Sequence, residues 1–446
     1  MLSRVFLILA FLFCLPAMAA AKTFNAETFT LENGMQVVVI PNHRAPVVTH
    51  MVWYKFGAAD EKPGESGVAH FLEHLLFKGT PKVPDGQLSL TVKKLGGNDN
   101  AFTTHDYTAY YQSIARAHLE KVMEMEADRM KNVQLSEEQV ASERQVIIEE
   151  RRQRIDNQPS AKFQEQLMAS LFVNHPYGTP VIGWLHEMKE LTRDEALAYY
   201  HKYYTPNNAI LVVAGDVTAE ELKPLAEKYY GPIPSQPVPE RQRPRAAPIE
   251  VMHQVVMQDP RVGQPVLMKA YRVPRGNDAM AILAEIFGGT STARMYKKLV
   301  VDQKLAVSAA ADYDAVSLND TTFTIYATPT PGTGMKDLEA AMDKEVALLL
   351  EKGVTLEELK GARTRMLASF TWYRDSLQGP AMLFGRALAS GLGLDYIENR
   401  SQRIESLTID DINDAADKVF KGDDLPVTGI LLPQAKPPAE KKEAKP

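Results

Sequence analysis

The sequence predicts an α+β protein made of two similar halves. A segment rich in proline and polar residues, 232–248, lies near the middle of the 446-residue chain, where it can neither pair as a central strand nor continue a helix. Strand-like and helical patterns follow one another in the same order on both sides of it, as a weak internal repeat of about 200 residues. We therefore expect one domain over 25–231 and a second, similar domain over 249–433.

Each half is expected to open with a strand, pass through helices and close with a strand. Apolar patterns predict strands at 47–56, 108–114 and 209–214 in the first half, with helices between them. The matching elements of the second half are strands at 264–271, 321–327 and 427–432, and helices at 278–288, 335–351 and 356–388.

The helix between the first two strands carries the clearest chemistry. His70 and His74 are four residues apart, so their imidazoles leave one face a turn apart and can hold one zinc ion. Glu73 lies beside them, where a carboxylate can take a proton from a water at the metal. This His-x-x-Glu-His order is the inverted zinc-peptidase signature. The alternative is a helix whose histidines only border an apolar core.

A catalytic zinc site usually takes a third protein ligand, and the candidates lie in a charged segment at 142–151. The segment is expected to be helical, with Glu143 and Glu150 two turns apart on nearly one face and Glu149 turned roughly 100° away from Glu150. If Glu150 binds the metal, Glu143 can stand behind it and orient a ligand. A solvated charged helix is the alternative reading of this run.

A family resemblance rests on long stretches of matching sequence. Among them are GVAHFLEHLLFKGT at 67–80 and the segments 31–35, 44–47, 100–104, 126–130, 175–177 and 204–209. In these the chain resembles the pitrilysin/insulysin family of zinc metallopeptidases, and within it the bacterial relatives of the zinc-bearing subunit of the mitochondrial processing peptidase. The resemblance covers about 29–433 and is strongest before Val217.

The resemblance implies both a fold and a set of roles. It implies mainly antiparallel sheets packed with helices, with the two halves forming half of a clam-like chamber. It implies one zinc ion per chain, held by His70, His74 and Glu150, with Glu73 as general base and Glu143 orienting a ligand. A zinc endopeptidase acting on peptides or unfolded segments is the activity that follows.

Substrate binding is also implied by the resemblance. The substrate would enter extended and add a strand to a sheet edge beside the zinc, with Asn100 and Ala101 as main-chain partners. An ordinary loop leading into the next strand is the alternative reading of this segment.

The second half departs from the family pattern. Active members usually carry an arginine and, seven residues later, a tyrosine that grip the substrate and the developing oxyanion. In this chain those positions fall on Val300 and Val307, and valine donates no side-chain hydrogen bond. Either Arg294 or Tyr313 replaces this clamp, or a partner supplies it. We expect a heterodimer with a homologous subunit that lacks the zinc signature and carries the arginine and tyrosine.

Composition and termini complete the expectation. The hydrophobic content of 45% and charged content of 24% are typical of a globular protein, and the net charge of −6 gives no reason to expect nucleic acid. Arg4, the apolar run 5–15 and the small residues at 17–19 predict a signal peptide over 1–21. Its removal on export to the periplasm would leave no stable membrane span, whereas an uncleaved anchor is the alternative.

Two further expectations remain. The tail 434–446 is charged and proline-rich and is expected to be disordered. The competing class of function is a non-catalytic scaffold or interaction subunit derived from the same peptidase family. The complete set of His70, Glu73, His74 and Glu150 favours the enzyme.

Overall fold

The computed structural model describes residues 23–434. The predicted signal peptide lies outside these residues, as does the predicted disordered tail beyond Gln434. Within 23–434, no helix is both long and apolar enough to cross a bilayer. The described chain forms two sheets, one of six strands and one of five, and helices pack on both.

The first half contains the six-stranded sheet. Its strands are β1 (Glu27–Thr30), β2 (Gln36–Pro41), β3 (Val47–Tyr54), β4 (Asn98–Thr103), β5 (Thr108–Ala115) and β6 (Ala209–Gly215). Its helices are α1 (Val68–Leu75), α2 (Gln87–Lys94), α3 (Leu119–Asn132), α4 (Glu137–Arg151), α5 (Pro159–Leu171), α6 (Leu185–Met188), α7 (Arg193–Tyr203) and α8 (Ala219–Tyr229).

The second half contains the five-stranded sheet. Its strands are β7 (His253–Asp259), β8 (Val266–Val273), β9 (Ala306–Tyr313), β10 (Thr321–Pro329) and β11 (Val427–Pro433). Its helices are α9 (Asp278–Gly288), α10 (Met335–Lys352), α11 (Leu356–Asp375), α12 (Gly379–Ala389), α13 (Leu394–Glu398), α14 (Arg400–Ser406) and α15 (Ile409–Phe420).

The two sheets share one topology. The strand orders are β1-β2-β6-β3-β5-β4 and β7-β11-β8-β10-β9. The last strand of the first half, β6, lies between β2 and β3, and the last strand of the second half, β11, lies between β7 and β8. Each last strand is parallel to β2 or β7 and antiparallel to β3 or β8. The predicted α+β class with two similar, mainly antiparallel halves is confirmed. Strands β4 and β9 occupy equivalent edges.

One predicted helix is two helices. The segment 356–388 was expected to be continuous, but α11 ends at Asp375 and α12 begins at Gly379. Pro380 has no N–H with which to continue the ladder of α11, and the hydroxyl of Ser376 accepts the N–H of Gly379 at 2.8 Å. The chain therefore turns between the two helices, and α12 is free to pack elsewhere.

Each half contributes one helix that packs on the sheet of the other half. Helix α12 covers the face of the first sheet opposite α1, where Phe384 and Ala381 join Val38, Met51 and Trp53 in one apolar cluster. Helix α5 makes the reciprocal contact with the second sheet through its buried Phe163 and Leu167. The two halves are therefore joined through apolar cores and not only through surface loops.

Glycines allow both of these helices to approach closely. A Cβ atom added to Gly385 on α12 would lie 2.0 Å from the ring of Trp53. One added to Gly429 on β11 would lie 2.5 Å from the ring of Phe163. Both separations are too short for a real contact, so any larger residue forces the helix away from the sheet.

A buried polar cluster also joins the halves beside the linker. Arg243 binds the carboxylates of Asp60, at 3.1 Å, and Asp106. Asp106 accepts the hydroxyl of Tyr177 at 2.6 Å and the N–H of Leu318, in the second half, at 2.8 Å. The linker thus contributes a charged side chain that is itself only 3% exposed.

Candidate metal centre

Helix α1 places two imidazoles and a carboxylate on one short element. Its apolar residues Phe71, Leu72 and Leu75 are fully buried in the first core, which fixes the helix rotation. His70 and Glu73 are nevertheless only 7% and 8% exposed. Imidazole and carboxylate groups are seldom buried without partners, so their burial indicates a dedicated site.

The start of α1 is held by a carboxylate from outside the helix. Gly67 takes a left-handed φ of 91°, and an added Cβ there would lie 2.6 Å from the carbonyl oxygen of Ile182, so only glycine fits. Glu61 accepts the N–H groups of Gly67 at 2.9 Å and Ala69 at 2.8 Å. These contacts satisfy two free donors at the helix start and position the turn that carries His70.

Helix α4 brings the glutamates to α1. Ser136 caps it in a reciprocal pair of hydrogen bonds with Gln139, and the buried Val140 and Ile147 anchor it in the core. Glu143 is buried and Glu150 lies at the cleft, and both contact His74. Glu149 instead pairs with Arg152 and is half-exposed. The alternative of a fully solvated charged helix is wrong for this face.

The separations between the candidate ligands suit a small tetrahedral cation. Glu150 Oε2 lies 3.6 Å from His70 Nε2 and 3.2 Å from His74 Nε2. The ligand atoms of the three residues all lie within 4.8 Å of one another. Tetrahedral zinc with bonds of 2.0–2.1 Å needs ligand separations of about 3.4 Å. Glu150 Oε2 is buried without a hydrogen-bond partner in the described part of the chain, so the donor set fits a zinc ion.

Glu143 stands behind His74. Its Oε1 contacts His74 Nδ1 at 2.8 Å, and its Oε2 binds Lys78 Nζ at 2.7 Å. A hydrogen bond to Nδ1 orients the imidazole and leaves Nε2 free to face Glu150. This is the position that the resemblance implies for Glu143.

The electrostatics of the site differ between the two histidines. Burial, aided by the neighbouring His74, lowers the pKa of His70 to about 4, which keeps it in the neutral, metal-binding form. Burial also disfavours the charged form of His74, but the carboxylates of Glu143 and Glu150 outweigh it and raise its pKa to about 9. Metal binding at His74 therefore has to release a proton.

Glu73 is held beside the candidate ligands by a hydroxyl. Thr103 on β4 donates a hydrogen bond to Glu73 Oε2 at 2.6 Å. Burial raises the pKa of Glu73, against the opposing effect of this hydrogen bond. A carboxylate with a raised pKa holds a proton more firmly, which suits a group that must accept one.

The candidate centre opens into a cleft bordered by a free sheet edge. The cleft has a volume of about 650 Å³ and is lined by all three candidate ligands, Glu73 and residues 100–103 of β4. Among the strands of residues 23–434, β4 pairs only with β5, so its other edge is available. The amide oxygen of Asn100 accepts the N–H of Ala101 at 2.9 Å.

The residues considered for a clamp in the second half do not line this cleft. Val300 lies half-buried against the second core and Val307 is 40% exposed on β9. Arg294 binds both oxygens of Glu358, at 2.9 and 2.7 Å. Tyr313 donates to the carbonyl of Pro274 at 2.7 Å. In the described chain, both possible substitutes are committed to contacts within the second half.

Sequence reasoning missed four residues that support the centre. Lys78 follows His74 by four residues, and Arg154 follows Glu150 by four and binds its Oε1 at 2.7 Å. The spacing of Arg154 from its partner Glu150 could have revealed that pair, whereas Lys78 binds Glu143 of another helix. Lys78, Thr103 and Glu61 had no such signal, because each contacts a residue of another element.

Comparison with known proteins agrees with this geometry. Residues 36–184 match the family model described as Insulinase (Peptidase family M16), and residues 190–366 match the Peptidase M16 inactive domain. The zinc protease PqqE of Helicobacter pylori is 30% identical over 420 residues, which are 91% of this chain and 92% of the relative.

The chain belongs to peptidase family M16.

Two further relatives place the chain within family M16. A solved structure of a protease from Helicobacter pylori aligns with a TM-score of 0.86 and 28% identity, covering 92% of this chain and 99% of that one. The beta subunit of the mitochondrial processing peptidase of Neurospora crassa is 29% identical over 259 residues, 58% of this chain and 52% of the relative. The predicted resemblance is therefore confirmed, including its link to the processing peptidases. The candidate metal centre lies within the segment that matches the Insulinase model.

Proposed function

We propose that this M16 protein is a zinc-dependent endopeptidase that hydrolyses peptides or unfolded segments. The observation that carries the proposal is the convergence of His70, His74 and Glu150 beside the buried carboxylate of Glu73, at the free edge of a sheet. Relatives named as zinc proteases support the same reading.

The proposal gives each side chain a role that its position supports. His70, His74 and Glu150 would hold the ion, and Glu143 would orient His74 through Nδ1. Bound zinc would supply a Lewis acid that polarises the peptide carbonyl and acidifies water. Glu73 would accept the proton of the attacking water at its carboxylate and pass it to the leaving amine nitrogen.

The free edge of β4 offers a way to bind the substrate. An extended peptide can add a strand there, with its carbonyl replacing the Asn100 amide oxygen at the N–H of Ala101. The Asn100 amide would then be free to bond the peptide backbone. Thr103, at the end of the same strand, donates a hydrogen bond to Glu73 and would lie between Glu73 and the docked peptide.

The decisive experiment separates metal binding from proton transfer. Glu73→Gln should retain zinc and lose peptide hydrolysis by about 10²- to 10⁴-fold, because an amide cannot accept the proton. Glu149→Gln is the matched control, since Glu149 lines the same cleft but pairs with Arg152 outside the candidate ligand set. Zinc per chain and the rate of peptide hydrolysis are the measurements. A Glu73→Gln chain as active as the parent would show that Glu73 is not the general base.

We also propose that a homologous partner completes the site. The described residues lining the cleft all come from the first half, and valines occupy the two clamp positions of the second half. The Neurospora relative is named as one subunit of its peptidase, which supports a divided site. The partner's arginine and tyrosine would then face this chain's zinc as oxyanion donors.

Mixing experiments test the divided site. The isolated chain should bind zinc and cleave peptides feebly, and a homologous chain without the zinc signature should raise the rate by roughly a hundredfold or more. Full activity of the isolated chain, unchanged by any such partner, would favour a homodimer or monomer instead.

A second candidate function is a non-catalytic scaffold or interaction subunit. The match of residues 190–366 to an M16 domain described as inactive is compatible with it. Zinc analysis separates the two candidates, because a scaffold has no need to bind one zinc per chain.

Export to the periplasm is proposed from the sequence of residues 1–21 alone. A mature N-terminus near residues 20–22 in a periplasmic fraction would support it, and Met1 recovered from membranes would contradict it.

A further inference from the structure

A second cavity, here called the seam cavity, lies where the two halves meet. It has a volume of about 670 Å³, and its lining includes Trp53, Phe102 and Tyr107 from the first half and Phe370, Leu383 and Arg400 from the second. The proposed catalytic steps use none of these side chains. The cavity is large enough to take a bulky side chain and its neighbours.

The walls of the seam cavity are mainly aromatic on the side of the first sheet. The Trp53 ring meets Phe102 edge-on at 5.4 Å between ring centroids and Tyr107 at 5.2 Å. Apolar side chains from α11 and α12 face them. Such a surface favours an aromatic or large aliphatic group over a polar one.

Strand β4 connects the seam cavity to the zinc cleft. Successive side chains of a strand point to opposite faces, so Ala101 joins the core that contains α1, whereas Phe102 packs on the core that contains α12. Phe102 lines both cavities. A peptide paired with the edge of β4 would therefore present alternate side chains to the zinc side and to the seam side.

The seam cavity also carries an uncompensated positive charge. Arg365 pairs with Glu285 and Arg386 with Asp314, but Arg400 forms no ion pair among residues 23–434. The guanidinium of Arg400 lies over the Phe370 ring at 5.5 Å, and its buried Nε has no hydrogen-bond partner within the same residues. A carboxylate entering the cavity would satisfy this group.

We propose that the seam cavity is a specificity subsite for substrate, resting on the proposed peptidase function. It takes a bulky apolar side chain of a peptide docked on β4, and Arg400 takes an acidic side chain of the same peptide. Residues on one face of a strand alternate, so the two side chains lie two residues apart, about 7 Å along the peptide. The preferred substrates therefore carry an apolar and an acidic residue separated by one position.

The test is affinity selection from a random peptide library on the zinc-loaded Glu73→Gln chain, which needs binding but no hydrolysis. Peptides with an aromatic or large aliphatic residue and Asp or Glu two positions apart should be enriched at least about tenfold over the library. No enrichment of this pair would overturn the proposal.

Two pairs of variants test whether residues of the seam cavity cause the selected preferences. Ser369→Trp, in an exposed position of α11 that lines the cavity, should fill it and abolish the apolar preference, whereas Ala368→Trp beside it should not. Arg400→Gln should remove only the acidic preference. Arg374→Gln removes the same charge from α11, outside the cavity, and should preserve the acidic preference. Unfolding curves matching the parent confirm that each variant is folded. The same selected peptides from Ser369→Trp as from the parent would place the subsite elsewhere.

Failure of the subsite can be told from failure of the function. Hydrolysis of a mixed peptide pool by the parent chain, without the predicted preference in the selection, removes the subsite and keeps the peptidase. The predicted preference, without hydrolysis even in the presence of a homologous partner, keeps the subsite as a peptide-binding site and removes the peptidase.

Discussion

The two halves have the same strand order but different chemistry between equivalent helices. In the first half, α1 and α4 bring two histidines and a glutamate to one point. In the second half, α9 and α11 are joined instead by an ion pair between Glu285 and Arg365. The fold is therefore compatible with either arrangement, and nothing in its packing requires a metal.

The difference lies in the charges that each pair of equivalent helices brings together. The ion pair of the second half neutralises itself. In the first half, Glu150 Oε2 faces the Nε2 atoms of His70 and His74 but is buried without a hydrogen-bond partner among the described residues, which is unfavourable in a folded protein. Such an unsatisfied cluster is better explained by a ligand than by stability, and this distinction can be tested.

The largest effect is expected at the candidate metal ligands. His70→Ala or Glu150→Ala should abolish stoichiometric zinc binding while the thermal unfolding of the metal-free chain changes little, because the site is not needed for packing. Glu285→Gln in the second half should do the reverse, keeping the zinc while lowering the free energy of unfolding by about 1 kcal/mol. Metal analysis and calorimetry measure the two quantities. Unfolding of the metal-free His70→Ala chain would break the comparison.

A smaller effect on the metal is expected behind His74. Glu143→Gln should weaken zinc affinity about 10- to 100-fold, because the oriented imidazole loses its carboxylate partner. Titration with a competing chelator measures it. Glu138→Gln, an exposed position on the same helix, is the control, and an equal loss there would mean that overall charge, not orientation, matters.

Helices α5 and α12, which each pack on the sheet of the other half, should be equally sensitive to a larger residue at the contact. Gly385→Ala and Gly429→Ala should each lower the free energy of unfolding by about 1–3 kcal/mol, because the new methyl group collides with Trp53 or Phe163. Gly393→Ala, where an added Cβ meets nothing within 4 Å, is the control. Denaturant unfolding supplies the values. A large loss from only one of the two would show that the halves do not depend on each other equally.

The smallest effect concerns pH and the polar cluster between the halves. Burial disfavours ionised Asp106, but Arg243 and Tyr177 outweigh it and hold the pKa of Asp106 below its usual range. This carboxylate therefore stabilises the fold at pH above about 4, and that stabilisation is lost as the pH falls through the lowered pKa.

Thermal unfolding at several pH values tests this contribution. The melting temperature of Asp106→Asn should lie furthest below that of the parent near neutral pH, and the gap should narrow below about pH 4. Asp312→Asn is the contrast, because burial and Asp314 raise the pKa of Asp312, so its replacement should be neutral or stabilising at neutral pH. A gap for Asp106→Asn that is constant with pH would show that its ionisation contributes nothing.

Much of the fold could be predicted because strands and helices have local periodicities. The predicted helix at 278–288 coincides with α9, and the strands at 47–56, 108–114 and 209–214 overlap β3, β5 and β6. The break between α11 and α12 was missed, because the apolar pattern continues through Gly379 and Pro380. In that region Pro380 indicates the helix boundary better than the apolar pattern does.

The sequence by itself determined which side chains share a helix face. His70, Glu73 and His74 must lie together on α1, and Glu143 and Glu150 on α4, because helical periodicity is set within a few residues. Tertiary structure alone decided that α1 meets α4, that Thr103 and Glu61 reach α1, and that the described second half stays out of the cleft. Those contacts join residues distant in sequence, and only the packing of the cores brings such residues together.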